Sequence, residues 1–401
     1  MVGNDKKIRG SYMQFKRSLL LLLFLAVLSV PALSAGEGNL HIGSLEIHPY
    51  ISTKETYGDN IYYAATDKKH DYITTIMPGL KLLFPFRDHK IGAEYNKVFT
   101  KYARYYQENT TDENANGFMD FKFGRSLGLT LQDVYAKGHE PRSTSTTGLI
   151  EKYTANTAFA SASYQLADVS KVKVDYSRST LEFKSSDSKF RDRGEDLISA
   201  YLYYRILPKT SAFVEYDYKQ VDFDQSTSTL NNKVNSGLLG VTWEITEKSK
   251  GTVKGGYTWK NFESQAHKDF KTWVASIDLN HEFSDYTSLR LVGQRVVNET
   301  TLLDARYFAT TGMYGEFTHK FTYKIAGVLK GSYGEDKFSD AVDPETKVRK
   351  DIVTAGGAGL KYQMRDWLEF AIDYNHRERN SNIDRIDYKE NAYMGTINFA
   401  M

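Results

Sequence analysis

Hydrophobic and polar residues alternate with a period of two along most of the chain. In residues 171–178, Val172 and Val174 share one face, while Lys173 and Asp175 share the other. Because successive side chains of a β-strand point to opposite faces, this pattern predicts a strand with one apolar face. The same alternation recurs in residues 212–219, 273–280, 323–330 and 368–375.

Two segments do not show which face is apolar. Residues 158–164 and 201–204 are tolerably apolar on both faces, so the sequence leaves their orientation open.

Polar connections of two kinds separate the predicted strands. Short turns lie near residues 85–89, 125–126, 166–170, 207–209, 246–248, 284–285, 320 and 365–366. Longer loops include residues 58–69, 107–115, 139–149, 185–193, 223–231 and 338–347. Short turns at one end and longer loops at the other are typical of a transmembrane, antiparallel, up-and-down β-barrel. We predict an all-β barrel of about 18 strands (16 to 20), with short periplasmic turns and longer extracellular loops.

The first 35 residues have the order of a secretory signal peptide. Basic residues precede an apolar run from Leu19 to Val30, and small residues follow up to Ala35. The run is shorter than the ~20 residues that a spanning helix needs, which argues against a retained anchor. We therefore expect cleavage after Ala35, with a possible true start at Met13.

A short periplasmic segment, residues 36–44, is expected to precede a barrel domain of residues 45–401. The chain has 29 Tyr, 22 Phe and no Cys. Without cysteine, stability in an oxidising compartment must come from closure of the strand ladder and not from disulfides. The net charge of +2 gives no reason to expect a nucleic-acid partner.

Aromatic residues flank the predicted turns and loops. Phe84 and Trp367 lie beside turns, and Phe183, Phe223 and Phe262 lie beside loops. This placement predicts two aromatic girdles at the membrane interfaces. We therefore predict that the protein lies in the cell outer membrane, where outer-membrane lipid is one of its partners.

The last strand carries a specific local pattern. Tyr393, Gly395, Ile397, Phe399 and Met401 share its apolar face, which continues to the final residue. The pattern resembles the C-terminal signal by which the barrel-assembly machinery recognises bacterial barrels. That signal commonly ends in Phe, whereas this chain ends in Met.

Residues able to support catalysis are not grouped in the sequence. Thiol chemistry is excluded, and the nine His form no metal-binding motif. His319 and His376 are expected to be solvated rim or lumen residues. We therefore expect no enzyme activity, no catalytic residues, no metal and no cofactor.

Function is expected in the barrel lumen. If the apolar faces point to lipid, a set of polar residues of both charge signs points inward. These candidate lumen-lining residues are Glu94, Lys173, Asp175, Glu215, Asp217, Lys254, Asp278, Asn280, Arg290, Lys324, Glu369 and Asp373. Two interpretations stay open: ion pairs that brace the wall, or a polar lining that binds a hydrophilic solute or glycan.

One region resembles a known family. Residues 57–62, Tyr-Gly-Asp-Asn-Ile-Tyr, and residues 71–80, ending in Pro-Gly-Leu, resemble the first hairpin of a family of outer-membrane β-barrel porins often found with exopolysaccharide genes. The family commonly has Ser before the Pro-Gly pair, where this chain has Met77. For Asp59-Asn60 and Pro78-Gly79 themselves, we prefer the simpler roles of a turn and a bent strand.

The resemblance implies a channel that assists export or assembly of exopolysaccharide, with periplasmic export proteins as partners. A general diffusion porin for small hydrophilic solutes is the first alternative. The second is a non-conducting structural or glycan-binding barrel, in which loop aromatics such as Tyr62, Tyr63, Tyr105 and Tyr106 stack on sugars.

Overall fold

A computed structural model describes residues 40–140, 142, 150–246, 248–302, 305–341 and 347–401. The predicted signal peptide and the cleavage site after Ala35 lie outside these residues. Within them the strands are β1 (Leu40–Ile42), β2 (Leu45–Gly58), β3 (Asp71–Phe86), β4 (His89–Tyr102), β5 (Thr110–Phe123), β6 (Leu127–His139), β7 (Lys152–Ala167), β8 (Ser170–Phe183), β9 (Arg193–Leu207), β10 (Thr210–Phe223), β11 (Asn232–Thr246), β12 (Ser249–Phe262), β13 (Phe270–Ser284), β14 (Thr287–Glu299), β15 (Tyr307–Lys320), β16 (Ile325–Ala341), β17 (Val348–Arg365), β18 (Leu368–Ser381) and β19 (Tyr388–Ala400). Three 3-10 helices, Tyr106–Glu108, Ser186–Arg191 and Asp384–Ile386, lie in loops.

Strands β2 to β19 form a closed antiparallel barrel of 18 strands. Each strand pairs with the next, and β19 pairs with β2 from Ala400–Tyr50 to Ala392–Gly58. The predicted fold and strand number are confirmed. Closure pairs the edges that an open sheet would leave exposed, which a membrane requires. The short strand β1 adds only a pairing with the start of β2.

Turns and loops lie at opposite ends of the barrel, as predicted. Two loop boundaries were wrong: β5 already begins at Thr110, and β16 continues to Ala341. In β5 the polar residues occur on both faces, because Asp112 and its neighbour Glu113 are both acidic. This part of the strand therefore resembled a loop in the sequence. In the structure, Glu113 pairs with Lys97 of β4 at 3.2 Å.

The apolar face of each strand is the convex, outer face of the barrel. In β8, Val174 and Tyr176 are 49% and 43% exposed, whereas Asp175 is 2% exposed. Contacts between strands two apart lie on the concave face: Glu215 of β10 contacts Lys254 of β12. The same criterion orients the two segments that the sequence left open. Tyr201 and Tyr203 of β9 face inward, and Phe159 of β7 faces inward too.

Aromatic side chains border the outer apolar surface at both ends. At the turn end they include Phe84, Phe123, Tyr204, Phe283, Tyr362 and Trp367, and at the loop end Tyr72, Tyr95, Tyr216, Trp273, Tyr374 and Tyr393. Beyond the loop-end row the outer face carries ion pairs, such as Lys233–Glu263 at 3.2 Å and Lys389–Glu378 at 3.0 Å. This sequence of surfaces is what a membrane band between two interfaces requires.

Among the described residues, no helix is both long enough and apolar enough to cross a membrane.

Candidate functional site in the barrel lumen

The inner surface of the barrel holds the candidate lining residues. Eleven of the twelve lie on strands at inward-facing positions, and Lys324 lies in the turn just before β16. Whether any of them contacts a solute stays a prediction. Their surroundings differ, and they divide into two groups on opposite parts of the wall.

The first group, which we call the braced side, consists of the inward charges of β8 to β12 together with Glu299 of β14. Lys173 contacts Asp175 at 2.6 Å, and Lys254 contacts Glu215. Glu215 is 0% exposed and also accepts a hydrogen bond of 3.1 Å from the Tyr201 hydroxyl. Charges removed from water to this extent must be paired, and the contacts of Glu215 join β10 to β9 and β12, whereas Lys173–Asp175 lies within β8.

The braced side continues into residues that the sequence did not single out. Lys219 lies 3.3 Å from Glu195 and 3.6 Å from Glu299, and Lys260 lies 2.6 Å from Glu299. Both side chains of the Lys260–Glu299 pair are 1% exposed. The alternation of β10 could have identified Lys219, which shares a face with Glu215. No local signal identified Glu299, because its position in the alternation of β14 is an outward one.

The second group, which we call the open side, consists of the partly exposed inward charges of β13 to β18 and β2 to β4, and so excludes the buried Arg349–Asp351 pair of β17. Lys330 and Asp373 lie 3.8 Å apart, with side chains 31% and 21% exposed. Arg290 and Asp278 lie 3.7 Å apart, and these side chains are 25% and 40% exposed. These groups therefore keep contact with water.

Further lining groups of the open side are held by neutral partners. The Tyr50 hydroxyl donates a 2.7 Å hydrogen bond to Glu94, and the Asn398 amide donates one of 3.0 Å to Glu369. Asn280 and Asn375 are exposed at their inward positions. The open side therefore presents carboxylate, hydroxyl and amide groups to the lumen.

Inward glycines let side chains of the open side lie along the wall. The ring of Tyr50 occupies the space above Gly79, where a Cβ would meet it at 2.2 Å. The Asp373 carboxylate similarly covers Gly359, where a Cβ would meet it at 2.4 Å. Because these groups lie flat, they take less space from the channel.

Buried aromatic side chains narrow the lumen at the loop end. Phe183, Phe223 and Phe262 face inward and are 1%, 6% and 9% exposed, so their predicted place in the outer girdle was wrong. Beyond the membrane band the outer face is polar, and apolar rings are buried on the inner face instead. Arginines cover other rings: Arg191 lies 4.1 Å from the Phe183 ring, and Arg349 lies 5.0 Å from that of Phe338. We call this layer the loop-end collar.

Asp59 and Asn60, from the region that resembles the porin family, extend the β2–β19 pairing that closes the barrel. Above the last β2–β19 pair, the Asp59 carboxylate accepts bonds from the Asn391 backbone N–H at 2.8 Å and its Nδ2 at 2.6 Å. Asn60, 0% exposed, donates from Nδ2 to the Lys389 carbonyl at 3.0 Å. These side chains replace ladder bonds where the strands separate. The β3–β4 ladder is interrupted at Pro78, in agreement with a bent strand.

The loop tyrosines are mostly engaged within the protein. Tyr62 packs edge-on against Tyr105 at 5.3 Å, and Tyr63 packs against Tyr388 at 4.9 Å. Burial raises the pKa of the Tyr63 phenol, and the nearby Glu390 carboxylate adds to the shift. Tyr106, 75% exposed, is free to contact a large ligand.

The proposed assembly signal lies on the outer face of the last strand. Tyr393 is 55% exposed and Ile397 is 47% exposed, and Gly395 and Phe399 share their face. The backbone N–H of Met401 donates to the Pro49 carbonyl at 3.1 Å, so the chain end is joined to β2.

The histidines considered in the sequence are hydrogen-bonded to neutral groups, and His376 Nε2 also lies 4.0 Å from the Glu378 carboxylate. His376 Nδ1 lies 2.9 Å from Asn391 Oδ1, and His319 Nδ1 lies 2.8 Å from the Thr287 hydroxyl. Within the described ranges, no group of three or more His, Asp, Glu or Cys is placed to hold a metal ion.

Comparison with known proteins identifies one family and many solved structures with a similar fold. The family model described as "Putative beta-barrel porin 2" matches residues 37–400. Among curated proteins, no sequence matches this chain significantly.

Solved structures resemble the barrel at low identity. OpdK of Pseudomonas aeruginosa, solved with vanillate, has a TM-score of 0.50 and 7% identity, covering 88% of this chain and 99% of OpdK. OccAB4 of Acinetobacter baumannii has a TM-score of 0.46 and 12% identity over 88% of this chain and 98% of its own. OpdL of Pseudomonas aeruginosa has a TM-score of 0.46 and 10% identity over 90% and 99%. At such identities the likeness concerns the fold alone.

Proposed function

Because this chain belongs to the Putative beta-barrel porin 2 family and is an outer-membrane, porin-like β-barrel channel, we propose that it assists the export or assembly of exopolysaccharide. Members of such a family are channels and not enzymes, so the function is sought in the lumen. The predicted signal peptide would deliver the chain to the periplasm, where the barrel-assembly machinery would insert it.

The observation that carries this proposal is the arrangement at Tyr50. Its ring lies along the wall over Gly79, and its hydroxyl is held by Glu94 at 2.7 Å. A flat aromatic ring beside carboxylate and amide groups offers a sugar both a stacking surface and hydrogen-bond partners. Glu369 and Asn375 continue this polar lining on β18. The lining therefore suits a hydrated, hydroxyl-rich polymer.

The loop-end collar fits a channel that works with periplasmic partners. Its rings and arginines take up space at the loop end, so movement of these side chains would widen the path for a polymer. Export proteins that deliver polymer from the periplasm would supply the force for this rearrangement.

Two measurements test the proposal. In a deletion strain, exopolysaccharide should accumulate inside the cell and be lost from the surface. In planar bilayers, oligosaccharides should interrupt the ionic current, and Tyr50→Ala should shorten the interruptions. Tyr95→Ala, which removes an outward ring 48% exposed, serves as the matched control. Normal surface polysaccharide in the deletion strain would contradict the proposal.

A general diffusion porin is the second candidate, favoured by the exposed charge pairs of both signs on the open side. Such a porin would admit small sugars into liposomes without any partner, and its deletion would leave the polysaccharide unchanged. A barrel that is correctly folded but electrically silent would contradict the porin and leave a partner-opened channel or a glycan-binding scaffold presenting Tyr106.

A further inference from the structure

One part of the barrel wall lacks a backbone ladder. The pairing of β13 with β14 ends at Ala275–Arg295, although β13 continues to Phe270 and β14 continues to Glu299. On its other side β13 stays paired with β12 as far as Lys260–Phe270. Residues 270–274 and 296–299 therefore border a seam in the wall.

Side chains close this seam. On the outer face, the Arg295 guanidinium lies 4.6 Å from the Trp273 ring and donates to the Thr311 hydroxyl at 2.8 Å. Above them, Phe270 of β13 stacks on Tyr307 of β15 at 4.3 Å, across the end of β14. Side chains can move aside by changing rotamer, whereas paired strands would have to break ladder hydrogen bonds.

A cavity of about 110 Å³ lies behind the seam. Polar and charged groups, including Lys219 and Glu299, line one part of it, and the aliphatic side chains of Val234, Leu238, Val274 and Val296 line another. These positions face the lumen, where the other strands place polar residues. An apolar cavity of roughly 150 Å³ in another protein holds a benzene molecule, so the smaller space here suits a short aliphatic group.

A cation without an ionic partner borders the same cavity. The lining lysines Lys254 and Lys260 are bound to carboxylates. Among the described residues Arg295 has a hydroxyl and an aromatic ring as neighbours, and its buried Nε has no hydrogen-bond partner. A buried donor left without a partner is costly, and an anion would satisfy it with a charge-assisted bond.

We propose that the seam between β13 and β14 binds an amphiphilic anion, with its charged group on Arg295 and its apolar body in the cavity behind Val274 and Val296. The ligand reaches the site from the lumen as a small soluble acid, or from the outer leaflet as a long-chain acid beside the girdle residue Trp273. An amphiphilic anion differs in chemistry from the hydroxyl-rich polymer proposed to contact Tyr50, so this site does not rest on the proposed function.

Trp273 provides a direct readout. The chain has four Trp, so the variant Trp243→Phe/Trp259→Phe/Trp367→Phe retains one at the seam. Bromohexanoate and bromostearate, whose bromine quenches tryptophan fluorescence on contact, are the soluble and membrane probes. We expect saturable quenching by at least one of them, and about tenfold weaker binding of bromohexanol, which lacks the charge.

Three variants in this background define the site. Arg295→Gln should weaken binding at least about tenfold by removing the charge-assisted bond. Val296→Phe should do the same by filling the cavity while keeping the charge. Arg290→Gln, on the same strand but paired with Asp278 at 3.7 Å, should leave binding within about twofold.

The results distinguish the two sources of the ligand from each other and from failure of the proposal. Saturation by bromohexanoate places the source in the lumen, and saturation by bromostearate alone places it in the membrane. Quenching that rises linearly with both probes, or that is unchanged in Arg295→Gln and Val296→Phe, overturns the proposal. The mobility shift of unboiled samples verifies that each variant is folded. If Arg295→Gln does not fold, the binding measured for Val296→Phe tests the proposal by itself.

Discussion

The braced side and the open side of the lumen are built from the same residue types but differ in packing. On the braced side, Lys254 and Glu215 are 5% and 0% exposed and in direct contact. On the open side, Lys330 and Asp373 are 31% and 21% exposed and 3.8 Å apart. An inward charge is therefore a structural brace where water is excluded and a lining group where water remains.

Neighbouring aromatic rings cause this difference. Next to the braced side, Tyr203 packs against Phe213 at 5.2 Å, and Lys173 lies 4.1 Å from the Tyr201 ring. These rings exclude water, so the charges must find partners. On the open side, Tyr50 and Asp373 lie flat over Gly79 and Gly359, so these side chains extend less into the lumen.

The largest expected effect comes from breaking a brace. Lys254→Met should lower the free energy of unfolding by about 3 to 5 kcal/mol, because Glu215 would remain buried without its cation. Lys330→Met is the matched control and should cost about 0 to 1 kcal/mol. Urea titration of the barrel in lipid vesicles measures both.

A double variant sharpens this test. Lys254→Met combined with Glu215→Leu should recover most of the loss, since an apolar pair of similar volume replaces the ion pair. Equal losses for Lys254→Met and Lys330→Met would mean that the two sides do not differ.

The assignment of faces is tested within one strand. Ile277→Arg, on the lipid face of β13, should cost about 2 to 4 kcal/mol near the bilayer midplane. Asp278→Asn, on the open side, should stay within about 0.5 kcal/mol of the unmodified protein. If the same titration gave the reverse order, the register of this strand would be off by one residue.

A smaller effect is expected from the glycines that set the lumen width. Gly79→Ala should displace the Tyr50 ring and break its bond to Glu94, costing about 1 kcal/mol. It should also lower the single-channel conductance, because the ring moves into the channel. Gly237→Ala is the control, since nothing lies within 4 Å of its added Cβ. Unchanged conductance in Gly79→Ala would contradict this account.

The smallest effect concerns ion selectivity, which should be weak because the open side carries both signs. Neutralising Glu369 and Asp373 should shift the reversal potential in a salt gradient toward anions, by about twofold in permeability per charge at ~8 Å in water. Neutralising Glu215 and Asp217 should shift it the same way but less, because Glu215 is 0% exposed. The opposite ranking would place the ion path along the braced side.

The sequence by itself determined the barrel, its strand number, its turn and loop ends and the outward face of its strands. These features are local: a period of two assigns the faces, and lipid is a uniform solvent that requires apolar residues wherever the wall meets it. Eleven of the twelve named candidates occupy inward strand positions for the same reason. A segment with similar faces, such as residues 201–204, could not be oriented locally.

Only the tertiary structure decided which inward charges brace the wall and which line the channel. Lys254 and Glu215 are 39 residues apart in the chain, and neither neighbourhood shows that the other is near. The same holds for Glu299, which turns inward because the β13–β14 ladder ends early, and for Phe183, which lies above the membrane band. Pairing across strands and exclusion of water depend on the closed barrel, and no local pattern of residues records them.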